Sequence, residues 1–287
     1  MKRRLFDASL FSEAMRQLRL IGLSGGVVLF LEAILLPIGR YISLRRAASY
    51  GVQVYPQTVG GLELHPLLVL CFAVLAPLMM LVLFQFLNKR AACDFYHAIP
   101  CRRVCLFVSF FAAVMAWLTV IAAGSTLAAA LCHALLGGYF TLNIPAILIY
   151  LFNMLAGCLY VCGAVAIAMC LTGTLFTNVT VSLLLLFMPR LLLAVFGATL
   201  QSLLPAIPSL NFIPPLDSQY NVVTNLLFGL FSGNAALSFT FWEGGVYTLC
   251  LGAAYTALAA WLFHRRKSET AGKAAPNRAV QTVYRLL

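Results

Sequence analysis

Several stretches of this 287-residue chain run for more than about 18 residues without a charged side chain, and stretches of that length can cross a bilayer as helices. Of all residues, 62% are hydrophobic and 9% are charged, whereas soluble domains carry about 25% charged residues. A soluble core of this size has no means of hiding so much apolar surface. The chain is therefore predicted to be an all-α polytopic membrane protein.

Six transmembrane helices are predicted, preceded by an amphipathic helix. Residues 1–20 carry apolar side chains at three- and four-residue spacing with charges on the other faces, which is typical of a helix lying in the headgroup plane. The alternative is a simple cytosolic extension of the first span. The predicted spans are 21–39, 66–87, 104–126, 146–171, 179–200 and 246–263, which together form a transmembrane domain over 21–263, and residues 264–287 are predicted to be a cytoplasmic tail.

The basic residues predict the orientation of these spans. With the N-terminus inside, fifteen Lys and Arg residues fall on one face of the membrane, and three (Arg40, Arg45 and Arg46) fall on the other. The fifteen are Lys2, Arg3, Arg4, Arg16, Arg19, Lys89, Arg90, Arg102, Arg103, Arg265, Arg266, Lys267, Lys273, Arg278 and Arg285. Because basic loops stay in the cytoplasm, both termini are expected to be cytoplasmic, in a plasma-membrane protein.

The same distribution excludes nucleic acid as a partner. A net charge of +11 would suit such a partner only if the basic residues formed one face or tail, but they flank the apolar spans instead. The segment 201–245 is predicted to be external, and its apolar run NLLFGLFSGNAAL is too short to cross the membrane. It is interpreted either as a re-entrant helical pair packed on protein or as an external lid.

The loop from Asn88 to Phe107 contains more charged and aromatic residues than a turn between two spans needs. Its candidate contact residues are Arg90, Asp94, Phe95, Tyr96, His97, Pro100, Arg102 and Arg103. Asp94 is expected to cap a short helix that exposes its aromatic side chains, since Asp is a favoured N-cap. Pro100 suits the first turn of the next helix, and Arg102 and Arg103 are expected to snorkel to the headgroups. Exposed aromatic side chains often mark interfaces, so docking of a partner is predicted, with an ordinary self-packed loop as the alternative.

This loop resembles the first cytoplasmic loop of ABC-2 type exporter permeases, especially those of Gram-positive bacteria. The matching positions are Arg90, Asp94, Tyr96, His97, Pro100, Arg103, Leu106 and Phe107. The resemblance extends to the layout of an N-terminal interfacial helix, six spans, a cytoplasmic loop between spans 2 and 3, and re-entrant helices between spans 5 and 6. Cys93, Cys101 and Cys105 are not part of the pattern.

The resemblance implies a non-catalytic permease subunit of an exporter. In that family the loop is a coupling helix that inserts into a separate ABC ATPase subunit, and a second permease subunit, identical or related, completes the transport path. ATP and Mg would then bind the partner ATPase, with no cofactor on this chain, which is consistent with the lack of a GxxxxGK[ST] sequence. The turn Thr172–Asn178 is expected to add a smaller contact. Some members of that family continue into further spans, so the question whether the chain is truncated at Leu287 is left open.

Two rival interpretations use other residues. The first is an ATP-independent membrane protein, either a secondary carrier or a membrane scaffold or receptor. A carrier would need several intramembrane ionisable groups and often inverted repeats. Cys93, His97, Cys101 and Cys105 recur every four residues, but four ligands along one helix do not surround a tetrahedral ion, so no metal site is predicted.

Two charged residues stand in the middle of predicted spans. Glu32 and Arg190 each occupy the twelfth position of their span, counted from the cytoplasmic side. Intramembrane charges are costly and usually face a partner or an aqueous cavity. The two are therefore a candidate pair, or candidate path-lining residues. The alternative is a protonated Glu32 and an Arg190 that snorkels from a kink near Pro189.

Overall fold

A computed structural model describes residues 5–203, 221–225 and 242–266. Within these ranges six helical segments are long and apolar enough to cross a membrane, which agrees with the predicted all-α polytopic class. The helices are α1 (Ala8–Gln17), α2 (Arg19–Ser49), α3 (Ala76–Leu83), α4 (Arg90–Ala98), α5 (Arg103–Leu135), α6 (Ile144–Leu171), α7 (Leu175–Leu203) and α8 (Trp242–Arg265), and the strands are β1 (Gln57–Val59) and β2 (Phe140–Leu142).

Two of the helices, α2 and α5, are longer than the apolar stretches that predict them. The predicted first span ends at residue 39, but α2 continues through Arg40, Arg45 and Arg46 to Ser49, because arginine and alanine favour the helix once it leaves the apolar stretch. α5 contains 33 residues and is therefore about 50 Å long. That length exceeds the roughly 30 Å of bilayer hydrocarbon, so α5 projects beyond the apolar layer or tilts within it.

The second span is not a regular α-helix. It begins as a 3₁₀ turn at Pro66–Val69, passes through a π-helical turn at Cys71–Leu75, and ends as α3. Pro77 stands in the first turn of α3. It has no N–H to donate to the carbonyl four residues earlier, which explains why the regular hydrogen-bond pattern is interrupted just before it.

The two ends of the bundle differ in structure. At one end, β1 pairs in parallel with β2, with Gln57 opposite Phe140 and Val59 opposite Leu142. This pair joins the 1–2 loop to the 3–4 loop, and we call this end the strand end. The opposite end carries α4, and we call it the α4 end. Near the strand end, Tyr150 donates a 2.9 Å hydrogen bond to the backbone carbonyl of His65.

α6 and α8 pack closely against each other. Gly245, Gly252 and Ala259 are buried and lie seven residues apart on one face of α8, and small residues let membrane helices approach closely. A methyl group added at Gly252 would lie 2.9 Å from the backbone nitrogen of Tyr160. Glycine is therefore required at this crossing.

A proline in α7 creates a hydrogen bond between helices. Pro189 lies inside α7 and has no N–H for the carbonyl of Leu185, four residues earlier. Tyr255 of α8 donates a 3.1 Å hydrogen bond to that carbonyl. Tyr160 of α6 donates to the carbonyl of Leu186 at 2.9 Å, so two tyrosines join α7 to the α6–α8 pair.

Two predictions fall mostly outside the described residues. Within the predicted re-entrant segment 201–245, residues 204–220 and 226–241 are not described, and neither are residues 267–287 of the predicted tail. The described turn at 221–225 is helical and mostly buried. Its Val222 N–H donates a 3.0 Å hydrogen bond to the hydroxyl of Thr248 on α8.

Candidate functional site

The loop between spans 2 and 3 folds into the short helix α4. The helix begins at Arg90, and Lys89 occupies the N-cap position without a side-chain capping bond. The prediction that Asp94 caps the helix is therefore wrong, because Asp94 lies within it. Pro100 is also not in the first turn of the next helix, which begins at Arg103. Instead it ends α4, since a residue before proline avoids helical geometry and Ile99 is extended.

α4 has two distinct faces. Cys93 is fully buried and Tyr96 is partly buried, three positions further along the same face. On the other side Arg90 and Asp94 are exposed, and 68% of Phe95 is exposed. Of the adjacent aromatic residues, one therefore faces outward and the other faces the bundle.

Tyr96 holds α4 against the bundle. Its ring centroid lies 4.4 Å from that of Phe86, in the 3₁₀ turn that follows the second span, and 5.8 Å from that of Phe110 in α5. Gln17 of α1 donates a 3.4 Å hydrogen bond to the Tyr96 hydroxyl. Such aromatic pairs contribute about 0.5–1.5 kcal/mol each beyond their buried area. The prediction that both aromatic residues are presented outward is therefore wrong for Tyr96.

The amphipathic helix α1 also packs on the bundle. Asp7 caps it by accepting a 2.9 Å hydrogen bond from the Ser9 N–H, and the Asp7 N–H donates to the Ser109 hydroxyl of α5 at 3.0 Å. At the other end of α1, the Trp117 indole of α5 donates to the Met15 carbonyl at 3.2 Å. α1 thus braces the first half of α5, while its position at the membrane surface stays a prediction.

A buried arginine joins four elements at the α4 end. Arg266, directly after α8, is 5% exposed. Its guanidinium donates to the Leu87 carbonyl at 2.8 Å and to the Met169 carbonyl of α6. Arg103 of α5 donates in turn to the Arg266 carbonyl at 2.6 Å. These carbonyls lie at or near helix C-termini, where a cation is favoured by the helix dipole.

Arg266 stays charged in this environment. Burial lowers its pKa from the ordinary value, and the neighbouring thiols of Cys170 and Cys93 oppose that change. An arginine is nevertheless not deprotonated in proteins. Arg266 is predicted from the sequence only as one of the basic residues that follow span 6, because nothing in the sequence distinguishes it from Arg265.

The 4–5 turn is bonded to the start of the 2–3 loop. Asn178 of α7 donates a 3.2 Å hydrogen bond to the side-chain oxygen of Asn88, and the Thr172 hydroxyl donates to Asn178. At the first turn of α7, 82% of Phe176 is exposed. The turn predicted to give a second contact is therefore attached to the loop predicted to give the first.

The remaining loop residues occupy different positions. Arg102 is exposed at the N-cap of α5 and Arg103 is half-buried. Arg103 reaches the Arg266 carbonyl described above, and the predicted headgroup contacts of both residues stay predictions. Of His97, the backbone lies in α4 but the side chain is not among the described parts.

The cysteines of the loop do not lie along one helix. Cys93 is in α4, Cys101 is in the connecting segment and Cys105 is in α5. Burial raises the pKa of the Cys93 thiol, while the charge of Arg266 opposes this. Burial also raises the pKa of Cys101. Both thiols are protonated at neutral pH and are therefore weak nucleophiles and weak metal ligands.

A second cluster of ionisable groups lies within the bundle. A carboxylate oxygen of Glu32 in α2 contacts Nδ1 of His65, which is completely buried just before the second span. His65 is not among the residues predicted from the sequence. Its position directly before Pro66 and an apolar run is the signal that could have indicated it. The pairing of Glu32 with Arg190 stays a prediction.

A double-mutant cycle tests both pairings of Glu32. We expect the stability costs of Glu32→Gln and His65→Gln to be non-additive by about 0.5–3 kcal/mol, because residues in contact are coupled. Unfolding of the purified protein in detergent measures each cost. The same cycle with Arg190→Gln measures the predicted pair, and additive costs there would exclude it. Additive costs for Glu32 and His65 would contradict the contact seen here.

Comparisons with protein-family models, curated proteins and solved structures found no significant match to this chain. The resemblance to ABC-2 type permeases therefore stays a prediction based on the residues of the 2–3 loop and on the order of the elements.

Proposed function

We propose that this chain is the transmembrane permease subunit of an ATP-driven exporter of the ABC-2 type. In this proposal the α4 end faces the cytoplasm, and a separate ABC ATPase binds there. A second permease subunit, identical or related, forms the other half of the transport path. The observation that carries the proposal is a short helix at the α4 end whose inner face packs on the bundle through Tyr96 and whose outer face leaves most of Phe95 exposed.

The outer face of α4 has the composition of a docking surface. Phe95 supplies an exposed aromatic ring, and Arg90 and Asp94 supply charges of both signs beside it. Aromatic and arginine side chains dominate the energy of many protein interfaces. Phe176 lies at the adjacent 4–5 turn and is also exposed, which supports a second, smaller contact with the same partner.

The contacts on the inner face of α4 couple its movement to that of several spans. Tyr96 connects α4 to the second span and to α5 through Phe86 and Phe110. Asn88, two residues before α4, is bonded to α7 through Asn178. A change in the ATPase that displaces α4 would therefore move several spans together. ATP binding must favour one arrangement of the spans through a difference in contact energy.

Purification of the tagged protein from its own host cell tests this function. We expect an ABC ATPase to co-purify with the wild-type chain and to give Mg-dependent ATP hydrolysis. Asp94→Ala combined with Phe95→Ala is expected to reduce this association at least about tenfold, because hot-spot residues each contribute about 2 kcal/mol or more. The same double variant is expected to keep its thermal stability, since both side chains are exposed.

Two further variants serve as controls. Tyr55→Ala removes an exposed aromatic side chain at the opposite end of the protein and is expected to leave the ATPase bound. Tyr96→Ala is expected to lower thermal stability, because Tyr96 packs on Phe86 and Phe110. Absence of an ATPase from the wild-type preparation, or ATP hydrolysis by this chain alone, would contradict the proposal.

The contact between Glu32 and His65 favours a second candidate function, a proton-linked secondary carrier. Carriers often contain intramembrane carboxylate and histidine side chains that exchange protons. Transport by the purified chain alone in vesicles, driven by a pH gradient and abolished by Glu32→Gln, would support the carrier. The exporter instead predicts that transport requires the ATPase and ATP.

A further inference from the structure

A groove of about 860 Å³ runs along α2 toward the strand end. Its floor is apolar along most of its length, and its polar residues gather at one end. The apolar lining comes from Val28, Leu31, Leu35, Leu36 and Leu44, and the polar lining at the end comes from Arg40, Ser43 and Gln57. The groove therefore has the form of an acyl-chain site with a polar mouth.

Glu32 also lines the groove, but its carboxyl group is turned away from it. Both carboxylate oxygens are inaccessible to solvent, and one of them contacts His65. The atoms of Glu32 that face the groove must therefore belong to its methylene stem. Long charged side chains commonly present their stems in this way, so the groove is apolar at this level too.

Arg40 supplies an uncompensated positive charge at the polar end. Its guanidinium donates one 2.6 Å hydrogen bond to the backbone carbonyl oxygen of Glu63. A backbone carbonyl carries no formal charge, so this bond does not neutralise Arg40. Among the described residues no carboxylate lies within ion-pair distance of Arg40. Its remaining N–H groups can bind a phosphate, and the guanidinium fork suits that geometry.

The length of the groove matches one leaflet of a bilayer. Arg40 lies twelve residues after Val28 on one helix, a separation of about 18 Å. The hydrocarbon of one leaflet is about 15 Å thick. A headgroup at Arg40 therefore places its acyl chain along the leucines as far as Val28.

We propose that this groove is a binding site for an anionic phospholipid, with the phosphate on Arg40 and one acyl chain along α2. The positive end selects the anionic headgroup, and the apolar floor selects a lipid over a free phosphate. The site does not depend on an ATPase, so it can be tested separately from the exporter function.

Native mass spectrometry of the purified protein, exchanged into detergent with added lipid, tests the site. We expect the wild-type protein to retain phosphatidylglycerol in preference to phosphatidylcholine. Arg40→Gln is expected to reduce phosphatidylglycerol retention about tenfold, since a charge-assisted hydrogen bond is lost. The matched control is Arg45→Gln, which removes the same charge from an exposed position on α2 that does not line the groove. It is expected to change retention less than twofold.

A second variant tests the acyl part of the groove. Gly39 is exposed and lines the groove, and nothing lies within 4 Å of a methyl group added there. Gly39→Leu should therefore fold normally while filling the groove, and it should weaken phosphatidylglycerol retention. Equal retention of both lipids by the wild type, an equal loss in Arg45→Gln, or unchanged retention in Gly39→Leu would each overturn the proposal. A second protein copy seated in the groove, detected as a dimer that excludes lipid, would also overturn it.

Discussion

Replacement of Gly252 by leucine is expected to separate α6 from α8 and to prevent the bundle from forming a stable fold. The new side chain would start 2.9 Å from the backbone nitrogen of Tyr160, and a helix backbone cannot move aside as a flexible side chain can. Overpacking in cores typically costs about 1–3 kcal/mol, and more where backbone must shift. We expect loss of the monodisperse peak in size-exclusion chromatography, with a marked fall in thermal stability.

Gly39→Leu is the matched control for this change. It makes the same substitution within a transmembrane helix, but at a position with open space around it. Removal of a glycine from a helix interior is favourable by roughly 0.5–1 kcal/mol, so this variant should be as stable as the wild type or more so. If both leucine variants behaved alike, the close approach of α6 and α8 would be contradicted.

Replacement of Arg266 by methionine is expected to cost at least about 3 kcal/mol of stability. The change removes charge-assisted hydrogen bonds to the Leu87 and Met169 carbonyls, and each such bond contributes about 1.5–3 kcal/mol. Both carbonyls would also lose a buried donor. Thermal unfolding in detergent, followed by circular dichroism, measures this loss.

The neighbouring residue provides the comparison. Arg265 is exposed and stacks on Trp261, with its guanidinium carbon 4.1 Å from the ring centroid. A cation–π contact at an exposed site contributes about 0.5–1 kcal/mol, so Arg265→Met is expected to have a small effect. Equal losses for the two variants would mean that Arg266 acts only as another basic residue at the end of a span.

The fold class and the positions of the spans could be predicted from the sequence because they follow from hydropathy. Uncharged runs of sufficient length allow no other class, and α6 and α8 begin and end within four residues of their predicted bounds. The end of α2 was harder to predict, because a helix can continue beyond the apolar layer into basic residues such as Arg45 and Arg46. Hydropathy indicates which residues of a helix lie in the apolar layer, but it does not indicate where the helix ends.

The candidate site could be predicted only in part. The residue types of the 2–3 loop indicate a short helix, but which of Phe95 and Tyr96 faces inward is set by the rotation of that helix about its own axis. The contacts of Tyr96 with Phe86 and Phe110 show that rotation, and they depend on tertiary packing. No side-chain cap marks the start of α4 at Arg90. The burial of Arg266 and the contact between Glu32 and His65 could not be predicted, because both depend on which helices become neighbours.

One bond between helices could have been predicted from the sequence alone. Pro189 necessarily leaves the Leu185 carbonyl without its helical donor, and a buried carbonyl in a bilayer needs a partner. The identity of that partner, Tyr255, is set by the packing of α8 on α6. The sequence around Pro189 therefore shows that a donor is needed, but the tertiary packing decides which residue supplies it.

The parallel pairing of β1 with β2 has a mechanical consequence. It fastens the polypeptide that leaves the far end of α2 to the polypeptide that leaves the far end of α5, across 83 residues of sequence. Because these two ends are joined, a rocking motion of α2 and α5 pivots at the strands. The largest displacement then occurs about 50 Å away along α5, at the end where the outer face of α4 is exposed.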